Sequence, residues 1–426
     1  MKICMMTNTY LPHVGGVARS VSTFVEEYTR LGHQVLVVAP GFDGKPLPKR
    51  QESLVVRVAA IQNFNGSDFS VRLPLAAALS ERLDSFNADI FHAHHPFLLG
   101  DTALRLAASR NVPVVFTHHT RYEDYTHYVP FDSPALKQAA INLSTEFANL
   151  CDGVIAPSAS IARLIKSRGV FTPIKVVPTG IDIEAFARGD GARARERLGI
   201  PTRTFVVGHV GRLAPEKNLP YLAEAVALFL KHSPGSRFLV VGSGPAEGDL
   251  LQTLRQHGVE RRAILAGQQT GQTLHDTYRA MDVFAFASFT ETQGLVVAEA
   301  MSAGLPVVAL RATGVREVVR NDFNGFLLPS AATPETFAER LAQLRNDSRL
   351  RRRFARAAVA TAQNFSSRHC ADEALDFYER VRRATRRERL IADRSPWGTL
   401  LRRLGIEWEL IARTARSVAE AVATAS

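Results

Sequence analysis

The segment Phe205–Lys231 has the sequence FVVGHVGRLAPEKNLPYLAEAVALFLK and contains a predicted strand, a polar loop and a predicted helix. Phe205–Val210 is a short apolar run of β-type residues, whereas Tyr221–Lys231 has the apolar spacing of a helix with one buried face. A strand that passes through a loop into an amphipathic helix is the repeating unit of a parallel α/β sheet. The segment therefore predicts a parallel sheet covered by helices.

The same alternation extends from this segment towards both ends of the chain. It is interrupted at the turn-rich stretch Pro178–Asp182, and the same pattern is present before that stretch. Because the pattern occurs twice, we predict an α/β protein with two Rossmann-like doubly wound domains facing a central cleft. The predicted strands are Lys2–Met6, Gln34–Ala39, Leu54–Ala59, Ile90–Ala93, Val112–Thr117, Gly153–Ala156 and Ile174–Val177, followed by Phe205–Val210, Arg237–Val241, Ala263–Leu265, Val283–Ala287 and Pro306–Ala309. The predicted helices include Val17–Leu31, with Gly32 as its C-terminal stop, Tyr221–Lys231 and Leu295–Ser302.

The chain length of 426 residues, with 46% hydrophobic content, is sufficient for two separate cores. We predict one Rossmann-like domain over residues 1–185 and a second over residues 200–368. Residues 369–426 are predicted to form helices that cross back to the first domain and end in a basic amphipathic tail.

The composition restricts the kinds of ligand that the protein can bind and the compartment in which it is expected. The chain has 52 Lys and Arg residues against 41 Asp and Glu residues, and this charge of +11 favours anionic ligands, anionic membranes or nucleic acid. Cys4, Cys151 and Cys370 lie far apart without metal-ligand spacing, which fits a reducing compartment. The apolar run at the start is too short for a signal peptide, and no run approaches the roughly 20 residues of a membrane-spanning helix. We therefore predict a cytoplasmic protein.

The stretch Phe289–Pro306, FTETQGLVVAEAMSAGLP, carries two carboxylates around a helix start. Glu291 ends a loop after a predicted strand, and Glu299 lies further along the helix, on the order of 10 Å away. Gly294 allows a ligand to approach the backbone, and the N–H groups of residues 292–295 could hold a phosphate. Two glutamates alone would more often be solvated, but the glycines and the proline around them favour a ligand site.

Loops after three other strands carry groups suited to a phosphate. Arg212 and Lys217 follow the strand Phe205–Val210 and could clamp a diphosphate. Gly15 and Gly16 join the first strand to a helix, whose N-terminus favours negative charge. The glycine-containing stretch 241–245, which includes Gly242, lacks the third glycine of the dinucleotide fingerprint, so an NAD-dependent dehydrogenase is disfavoured.

A fourth loop, Phe116–Tyr128, is dense in polar and aromatic residues. It suits either an acceptor pocket or a surface loop with capping residues. The histidine cluster Phe91–Pro96 resembles metal spacing, but it has no partner carboxylate, so no metal site is predicted.

Together, these motifs resemble the retaining glycosyltransferases of family 4 with the two-domain B fold (GT-B), over Met1 to about Leu375. The resemblance implies that Glu299 binds the ribose, that Glu291 binds the hydroxyls of the donor sugar, and that Gly16 faces the diphosphate. The catalytic residues that it implies are His119, Glu291, Arg212 and Lys217. The implied donor-binding residues are Gly15, Gly16, Arg212, Lys217, Gly242, Gln268, Glu291, Thr292, Gln293, Gly294, Leu295 and Glu299. The implied acceptor-binding residues, in the first domain, are Tyr122, Glu123, Tyr125 and His127.

A narrower resemblance is to the enzymes that glucosylate diacylglycerol, carried by His119–Tyr125 and Glu291–Leu295. It implies transfer of a hexose, glucose from UDP-glucose, to a lipid acceptor such as diacylglycerol, without a cofactor. Phosphatidylinositol mannosyltransferases and polysaccharide glycosyltransferases that use GDP-mannose or another nucleotide sugar share the remaining motifs. A sugar phosphorylase or epimerase on the same fold, and a non-catalytic protein that binds nucleotide sugars, stay open as alternatives.

The C-terminal segment combines positive charge with apolar residues. Both tryptophans of the chain lie in it, and tryptophan favours the headgroup level of a membrane. Two interpretations stay open: an interfacial helix on an anionic membrane surface, at the inner face of the plasma membrane, or a helix packed on the first domain. Nucleic acid is not an expected partner, because the chain has no recognition motif for it. The residues concerned are Arg380, Arg382, Arg383, Arg386, Arg387 and Arg389, followed by Trp397, Leu400, Leu401, Leu404, Ile406, Trp408 and Ile411.

Overall fold

The computed structural model describes residues 1–13, 15–42, 47–58, 60–61, 71–72, 77–124, 133–289, 291–392 and 406. The chain divides into two compact units. The first unit consists of Met1–Gly180 together with Cys370–Ser426, and the second consists of Ile181–His369.

The first unit contains a parallel sheet. Its strands are β1 (Lys2–Met6), β2 (Gln34–Pro40), β3 (Val55–Val58), β6 (Ile90–Ala93), β7 (Val114–Thr117), β8 (Gly153–Ala156) and β9 (Ile174–Val176), and β4 (Ala60–Ile61) pairs with β5 (Val71–Arg72) in a separate antiparallel ribbon. The seven-stranded sheet has the order β3-β2-β1-β6-β7-β8-β9. The order reverses between β1 and β6, and such a switch point is where open α/β sheets bind ligands.

Helices connect these strands. They are α1 (Gly16–Arg30), α2 (Lys49–Glu52), α3 (Ala77–Phe86), α4 (Leu99–Arg110), α5 (Pro134–Leu150) and α6 (Ala159–Ser167). The side chains of Ser133 and Ser158 accept hydrogen bonds from backbone N–H groups at the starts of α5 and α6. Helix α1 ends one residue before its predicted end, and Gly32 follows with a φ of +82°, as the stop signal required.

The second unit repeats the plan. Its strands are β10 (Phe205–Val210), β11 (Ser236–Val241), β12 (Ala263–Leu265), β13 (Val283–Phe286), β14 (Val307–Leu310) and β15 (Gly325–Leu328), in the parallel order β12-β11-β10-β13-β14-β15. Its helices are α7 (Ile183–Ala187), α8 (Gly191–Arg197), α9 (Leu219–Lys231), α10 (Glu247–Gln256), α11 (Gly271–Arg279), α12 (Leu295–Ser302), α13 (Val315–Val318), α14 (Pro334–Asn346) and α15 (Ser348–Ala362). The order of this sheet reverses between β10 and β13.

The two parallel sheets confirm the predicted α/β class with two Rossmann-like domains. All twelve predicted strands are present, with ends that differ by no more than two residues. Strand β15 was not predicted, because its four residues follow the polar turn Arg320–Asn324 and are too few to show a period.

Two acidic side chains fix helix α8 on the second unit. The Asp276 carboxylate accepts hydrogen bonds from the Asp190 backbone N–H at 2.8 Å and from Arg193 Nη2 at 2.6 Å. The Asp282 carboxylate accepts a hydrogen bond from Arg195 Nη2 at 2.9 Å. Charged hydrogen bonds of this kind hold residues 190–195 firmly against the rest of the second unit.

Helix α16 (Ser367–Ala392) contributes to the core of the first unit. Its buried residues include Cys370, Phe377 and Tyr378, which pack with side chains of β1, β2 and α1. A Cβ atom on Gly153 would lie 2.8 Å from Val381 Cγ2, so only glycine permits this approach of the helix to β8. Ile406 packs, half-buried, against the cluster on the other side of the same sheet. No helix among the described residues is both long and apolar enough to cross a bilayer.

Candidate functional site

The switch point of the second sheet brings together two of the predicted catalytic residues. Lys217 ends a short 3-10 helix in the loop after β10, and Glu291 lies in the loop after β13. Lys217 Nζ lies 2.6 Å from Glu291 Oε1, and only 18% and 14% of the two side chains are exposed. Burial to this extent weakens solvent screening, so the pair is held more firmly than a surface ion pair.

Backbone hydrogen bonds hold these two loops together. The Glu216 carbonyl oxygen accepts from the Ser288 hydroxyl at 3.2 Å and from the Phe289 N–H at 3.3 Å. The position of the Lys217 ammonium beside Glu291 is therefore built into the loops and does not depend on the two side chains alone.

Gly242 holds the loop after β11 against the loop after β10. A Cβ on Gly242 would lie 1.9 Å from the Gly211 carbonyl oxygen, and Gly242 has a φ of +137°. The Leu213 N–H donates to the Ser243 carbonyl oxygen at 3.0 Å, which continues the same contact. The structure thus gives Gly242 a packing role, and its predicted contact with the donor remains a prediction.

The second predicted carboxylate, Glu299, is fully buried on α12. Its Oε2 accepts a hydrogen bond from the hydroxyl of Tyr278, on α11, at 2.7 Å. Tyr278 is itself buried against Phe186 and Phe284, which fixes its ring. The carboxylate is therefore held by a neighbour that the sequence motifs did not identify.

The start of α12 has the geometry that its glycine predicts. Gly294 is the N-cap residue with a φ of +76°, a conformation that favours glycine. A Cβ on Gly314, in the loop after β14, would lie 2.7 Å from the Gln293 nitrogen, so this second loop packs directly on the turn. Gln293 is buried, whereas Thr292 and Leu295 are half-buried.

Two further predicted donor-binding residues lie on exposed loops. Arg212 follows β10 directly and is exposed. Gln268 follows β12 and is exposed as well, while the neighbouring Gln269 bonds the Thr277 hydroxyl.

His209, on β10, is a buried residue to which the motifs assigned no role. Its Nδ1 donates to the Ala285 carbonyl oxygen at 3.2 Å. Burial, with the Lys217 charge as a smaller cause, lowers the pKa of His209 to about 4, so the ring is neutral. Its Nε2 is then an acceptor without a partner among the described residues, and it lies 3.8 Å from the position of a Cβ on Gly211. A histidine two residues before Gly211, in an otherwise apolar strand, was the only sequence signal for it.

In the first unit, His119 lies after β7 and faces the histidines that follow β6. His119 Nε2 lies 2.8 Å from His94 Nδ1, and the two rings are stacked with centroids 5.1 Å apart. His95 Nδ1 accepts from the Asn8 backbone N–H at 3.1 Å, which joins the loops on either side of the switch point. The sequence placed His119 in a functional loop, and the structure adds His94 as its direct partner.

A buried chain of hydrogen bonds lies behind this pair. His92 Nε2 lies 2.6 Å from Thr117 Oγ1, and His92 Nδ1 lies 2.6 Å from the Tyr378 hydroxyl. The Tyr378 hydroxyl lies 3.0 Å from that of Tyr28. Burial lowers the pKa of His92 to about 3, so this ring is neutral. The chain joins α1, α16, β6 and β7 through polar contacts inside an apolar core.

Two of the four predicted acceptor-binding residues are described. The Tyr122 hydroxyl is buried without a partner among the described residues, and its ring contacts Phe97 and His118. Glu123 Oε1 receives Arg168 Nη2 at 2.6 Å and Arg121 Nε at 3.2 Å. Burial alone would raise the pKa of Glu123, but the bonds and charges of these two arginines outweigh it and lower the pKa. Tyr125 and His127 lie outside the described residues.

The two glycines at the start of α1 differ in the space that surrounds them. Gly15 is the N-cap, and a Cβ there would lie 3.0 Å from His13 Nε2. A Cβ on Gly16 would meet nothing within 4 Å. The packing of the protein therefore does not explain why residue 16 is a glycine. No group of three or more metal-ligating side chains with metal-site geometry occurs in the described part of the chain.

Known families match both halves of the chain. Residues 14–185 match the model of Glycosyltransferase Family 4, and residues 190–360 match that of Glycosyl transferases group 1. An alpha-monoglucosyldiacylglycerol synthase of Acholeplasma laidlawii is 30% identical over 326 residues, which cover 72% of this chain and 80% of that protein. A GDP-mannose-dependent alpha-mannosyltransferase of Mycobacterium tuberculosis is 30% identical over 387 residues, covering 90% and 97%.

Solved structures share the fold. HepE of Anabaena, crystallised in complex with UDP, matches with a TM-score of 0.70 at 23% identity, covering 89% of this chain and 100% of that one. Sucrose-phosphate synthase of Thermosynechococcus elongatus matches with a TM-score of 0.72 at 20% identity, covering 90% and 99%. Both sheets, both sequence segments and these relatives agree, and the chain belongs to the family 4 glycosyltransferases of the GT-B fold, as a hexosyltransferase.

Proposed function

We propose that this glycosyltransferase transfers glucose from UDP-glucose to a lipid acceptor such as diacylglycerol, with retention at the anomeric carbon. The Lys217–Glu291 pair at the switch point of the second sheet is the observation that carries the proposal. It supplies a cation for a diphosphate and a carboxylate for sugar hydroxyls. The carboxylate belongs to Glu291, four residues before the start of α12. The similarity to a glucosyldiacylglycerol synthase supports the choice of donor and acceptor.

The leaving group determines what the site must stabilise. When the bond between the anomeric carbon and the diphosphate oxygen breaks, negative charge develops on that oxygen. The Lys217 ammonium and the Arg212 guanidinium would neutralise it, and the N–H groups at the start of α1, at Gly16, would add to them. Fixed positive groups at the developing charge form the largest catalytic contribution in a site of this kind.

Glu291 orients the sugar in this mechanism and does not form a covalent intermediate. An ammonium 2.6 Å from its carboxylate withdraws the charge that a nucleophile needs. We therefore propose attack from the face of the leaving group. The acceptor hydroxyl oxygen forms the new bond to the anomeric carbon, and its proton passes to the departing diphosphate oxygen.

Glu299 and its neighbours would hold the nucleoside. One carboxylate oxygen of Glu299 accepts from Tyr278, so the carboxylate has a fixed orientation for a ribose hydroxyl. His119 would lie near the sugar, while Tyr122, Glu123, Tyr125 and His127 would shape the acceptor pocket.

Radiolabelled donors test this assignment directly. The protein is incubated separately with labelled UDP-glucose and GDP-mannose, each with vesicles that contain diacylglycerol, vesicles that contain phosphatidylinositol, or no lipid. We expect label from UDP-glucose to enter the organic phase only with diacylglycerol. Label that stays in water with every acceptor, despite donor binding, would support a non-catalytic binding protein instead.

A second candidate function is favoured by one observation. The similarity to a GDP-mannose-dependent mannosyltransferase extends over 90% of this chain, further than that to the glucosyltransferase. The GDP-mannose arm of the same assay distinguishes the two, since only a mannosyltransferase moves that label into lipid.

We also propose that the C-terminal segment holds the enzyme on an anionic membrane, at the inner face of the plasma membrane. Arg380, Arg383 and Arg386 are exposed on α16, and the tryptophans lie further along the sequence. Basic residues with apolar anchors bind anionic lipid headgroups. A chain ending at residue 392 should lose cosedimentation with phosphatidylglycerol vesicles in low salt. Equal sedimentation of both chains would contradict this role of the tail.

A further inference from the structure

The contact between His94 and His119 indicates which nitrogens of the two imidazole rings carry a hydrogen. Two ring nitrogens 2.8 Å apart form a hydrogen bond, so one of them carries hydrogen and the other accepts it. Burial, followed by the charges of neighbouring histidines, lowers the pKa of both rings well below the ordinary value. Both rings are therefore neutral, and each carries one hydrogen on one of its two nitrogens.

The second nitrogen of His94 decides which one is the donor. His94 Nε2 is buried and has no hydrogen-bond partner among the described residues. A buried N–H without a partner is rarer and costlier than a buried lone pair without one. The hydrogen of His94 therefore lies on Nδ1, and the nitrogen that accepts is Nε2 of His119.

Rigid surroundings hold the His94 ring in this role. Its backbone N–H donates to the Met6 carbonyl oxygen at 2.9 Å, which fixes the loop after β6 to the end of β1. Its ring centroid lies 4.0 Å from that of His92, and His92 is fixed on both sides by Thr117 and Tyr378. A half-turn of the His94 ring would place Cδ2 where Nδ1 now lies and would break the hydrogen bond to His119 Nε2.

We propose that His94 is a positioning residue that fixes the tautomer of His119. Because His119 Nε2 accepts from His94, the single hydrogen of the neutral His119 ring lies on Nδ1. His119 then offers the reaction a hydrogen-bond donor and no free basic nitrogen. It can hold an oxygen of the donor sugar or of a phosphate, but it does not remove the proton of the acceptor hydroxyl.

This inference rests on the proposed function for the part of it that concerns catalysis. It also deepens that function, because it excludes His119 as a general base. The proton of the acceptor then has to leave by another route, which agrees with its transfer to the departing diphosphate oxygen.

The tautomer is measured by nitrogen NMR on the full-length protein labelled with ¹⁵N-histidine, with the His119 signals assigned by their loss in His119→Gln. We expect Nδ1 of His119 to show the shift of a protonated nitrogen and Nε2 that of an acceptor. A protonated Nε2 in the wild-type protein would overturn the proposal, and this result does not depend on any substrate.

Two variants of His94 separate positioning from general support of the fold. The amide nitrogen of asparagine occupies the place of histidine Nδ1, so His94→Asn should retain the His119 tautomer and most of kcat. His94→Leu has no donor, and it should give mixed tautomers with a kcat lowered by about tenfold, the value of one hydrogen bond. The KM for the nucleotide sugar should stay within about twofold in both variants.

His118→Phe is the matched control, because His118 is an adjacent buried histidine whose ring lies against Phe116 and Tyr122. The His119 tautomer should be unchanged in it. A His94→Leu protein with the wild-type tautomer, or with mixed tautomers and an unchanged kcat, would refute the positioning role. If no donor sugar is transferred by any variant while the NMR result holds, the proposed function fails and the tautomer assignment stands.

Discussion

The hydroxyl of Tyr278 lies 2.7 Å from a carboxylate oxygen of Glu299, and both side chains are fully buried. Tyr278 belongs to α11 and Glu299 to α12, so this bond crosses between two helices of the second unit. A buried carboxylate that shares a bond with a fixed tyrosine has one preferred orientation. The orientation is present before any nucleotide binds.

Replacing Tyr278 by Phe should weaken binding of the nucleotide sugar and leave the rate of the chemical step unchanged. The variant loses one hydrogen bond to Glu299, so we expect the KM for the nucleotide sugar to rise about tenfold with kcat within about twofold. Tyr221→Phe is the control, because the Tyr221 hydroxyl bonds the Ala332 carbonyl oxygen at 2.9 Å, in another part of the same unit. Initial rates over a range of donor concentrations give both constants. An unchanged KM in Tyr278→Phe would contradict the proposal that Glu299 binds the ribose.

Replacing Lys217 by Ala should act on turnover. The variant loses the cation beside the leaving diphosphate, and we expect kcat to fall by at least about 100-fold. The melting temperature should change little, because the loop is also held by its backbone bonds to residues 288 and 289. Lys231→Ala, at the exposed end of α9, is the control and should transfer sugar normally. Near-normal transfer by Lys217→Ala would contradict the proposed catalytic role.

The variant Gly16→Ala tests whether residue 16 is a glycine because a ligand binds there or because the protein packs closely around it. Since a Cβ at residue 16 meets no atom within 4 Å, the variant should be as stable as the wild type or more stable by up to about 1 kcal/mol. Transfer should nevertheless fall, because the methyl group occupies the space of the diphosphate. Gly248, in the first turn of α10, has equally open surroundings, so Gly248→Ala is the matched control for both measurements. Full activity in Gly16→Ala would remove Gly16 from the donor site.

The buried histidines of the first unit predict how stability depends on pH. Burial lowers the pKa of His92 and His95 to about 3 and that of His118 to about 4, below their ordinary 6.5. The unfolded chain therefore binds more protons than the folded chain between these values. Their contribution is complete above about pH 6.5 and is lost as the pH falls, by up to roughly 1.4 kcal/mol per histidine and pH unit.

Urea unfolding followed by circular dichroism checks this dependence. The midpoint should decrease from about pH 7 to about pH 5, and His118→Phe should show a smaller decrease because it has one titrating group fewer. Equal midpoints at both pH values would mean that these rings are not neutral and buried in the folded protein.

The sequence predicts most of this fold because its signals are local. An apolar run such as Phe205–Val210 and an amphipathic run such as Tyr221–Lys231 are recognisable without their neighbours. Lys217 and Glu291 could be predicted as residues of one donor site because each follows a predicted strand of the second domain, whereas their ion pair was seen only in the structure.

Contacts between distant residues could not be predicted in this way. His92 and Tyr378 meet across 286 positions of sequence, and nothing in either local pattern indicates the other. His94 was recognised only as one of several neighbouring histidines, because the ring that it contacts belongs to His119, in the loop after the next strand. Gly242 could not be interpreted from sequence, since a glycine after a strand indicates a ligand or a close backbone contact equally. Only the structure shows that a Cβ at residue 242 would lie 1.9 Å from the Gly211 carbonyl oxygen.

The first unit is assembled from two separate stretches of chain, whereas the second is continuous from Ile181 to His369. A ribosome releases the strands of the first sheet early, but the helix with Phe377 and Tyr378, which covers part of that sheet, leaves only after the whole second unit. The second unit has all of its own parts before that helix appears. During synthesis, the second unit can therefore complete its core while the first still lacks the helix that covers part of its sheet.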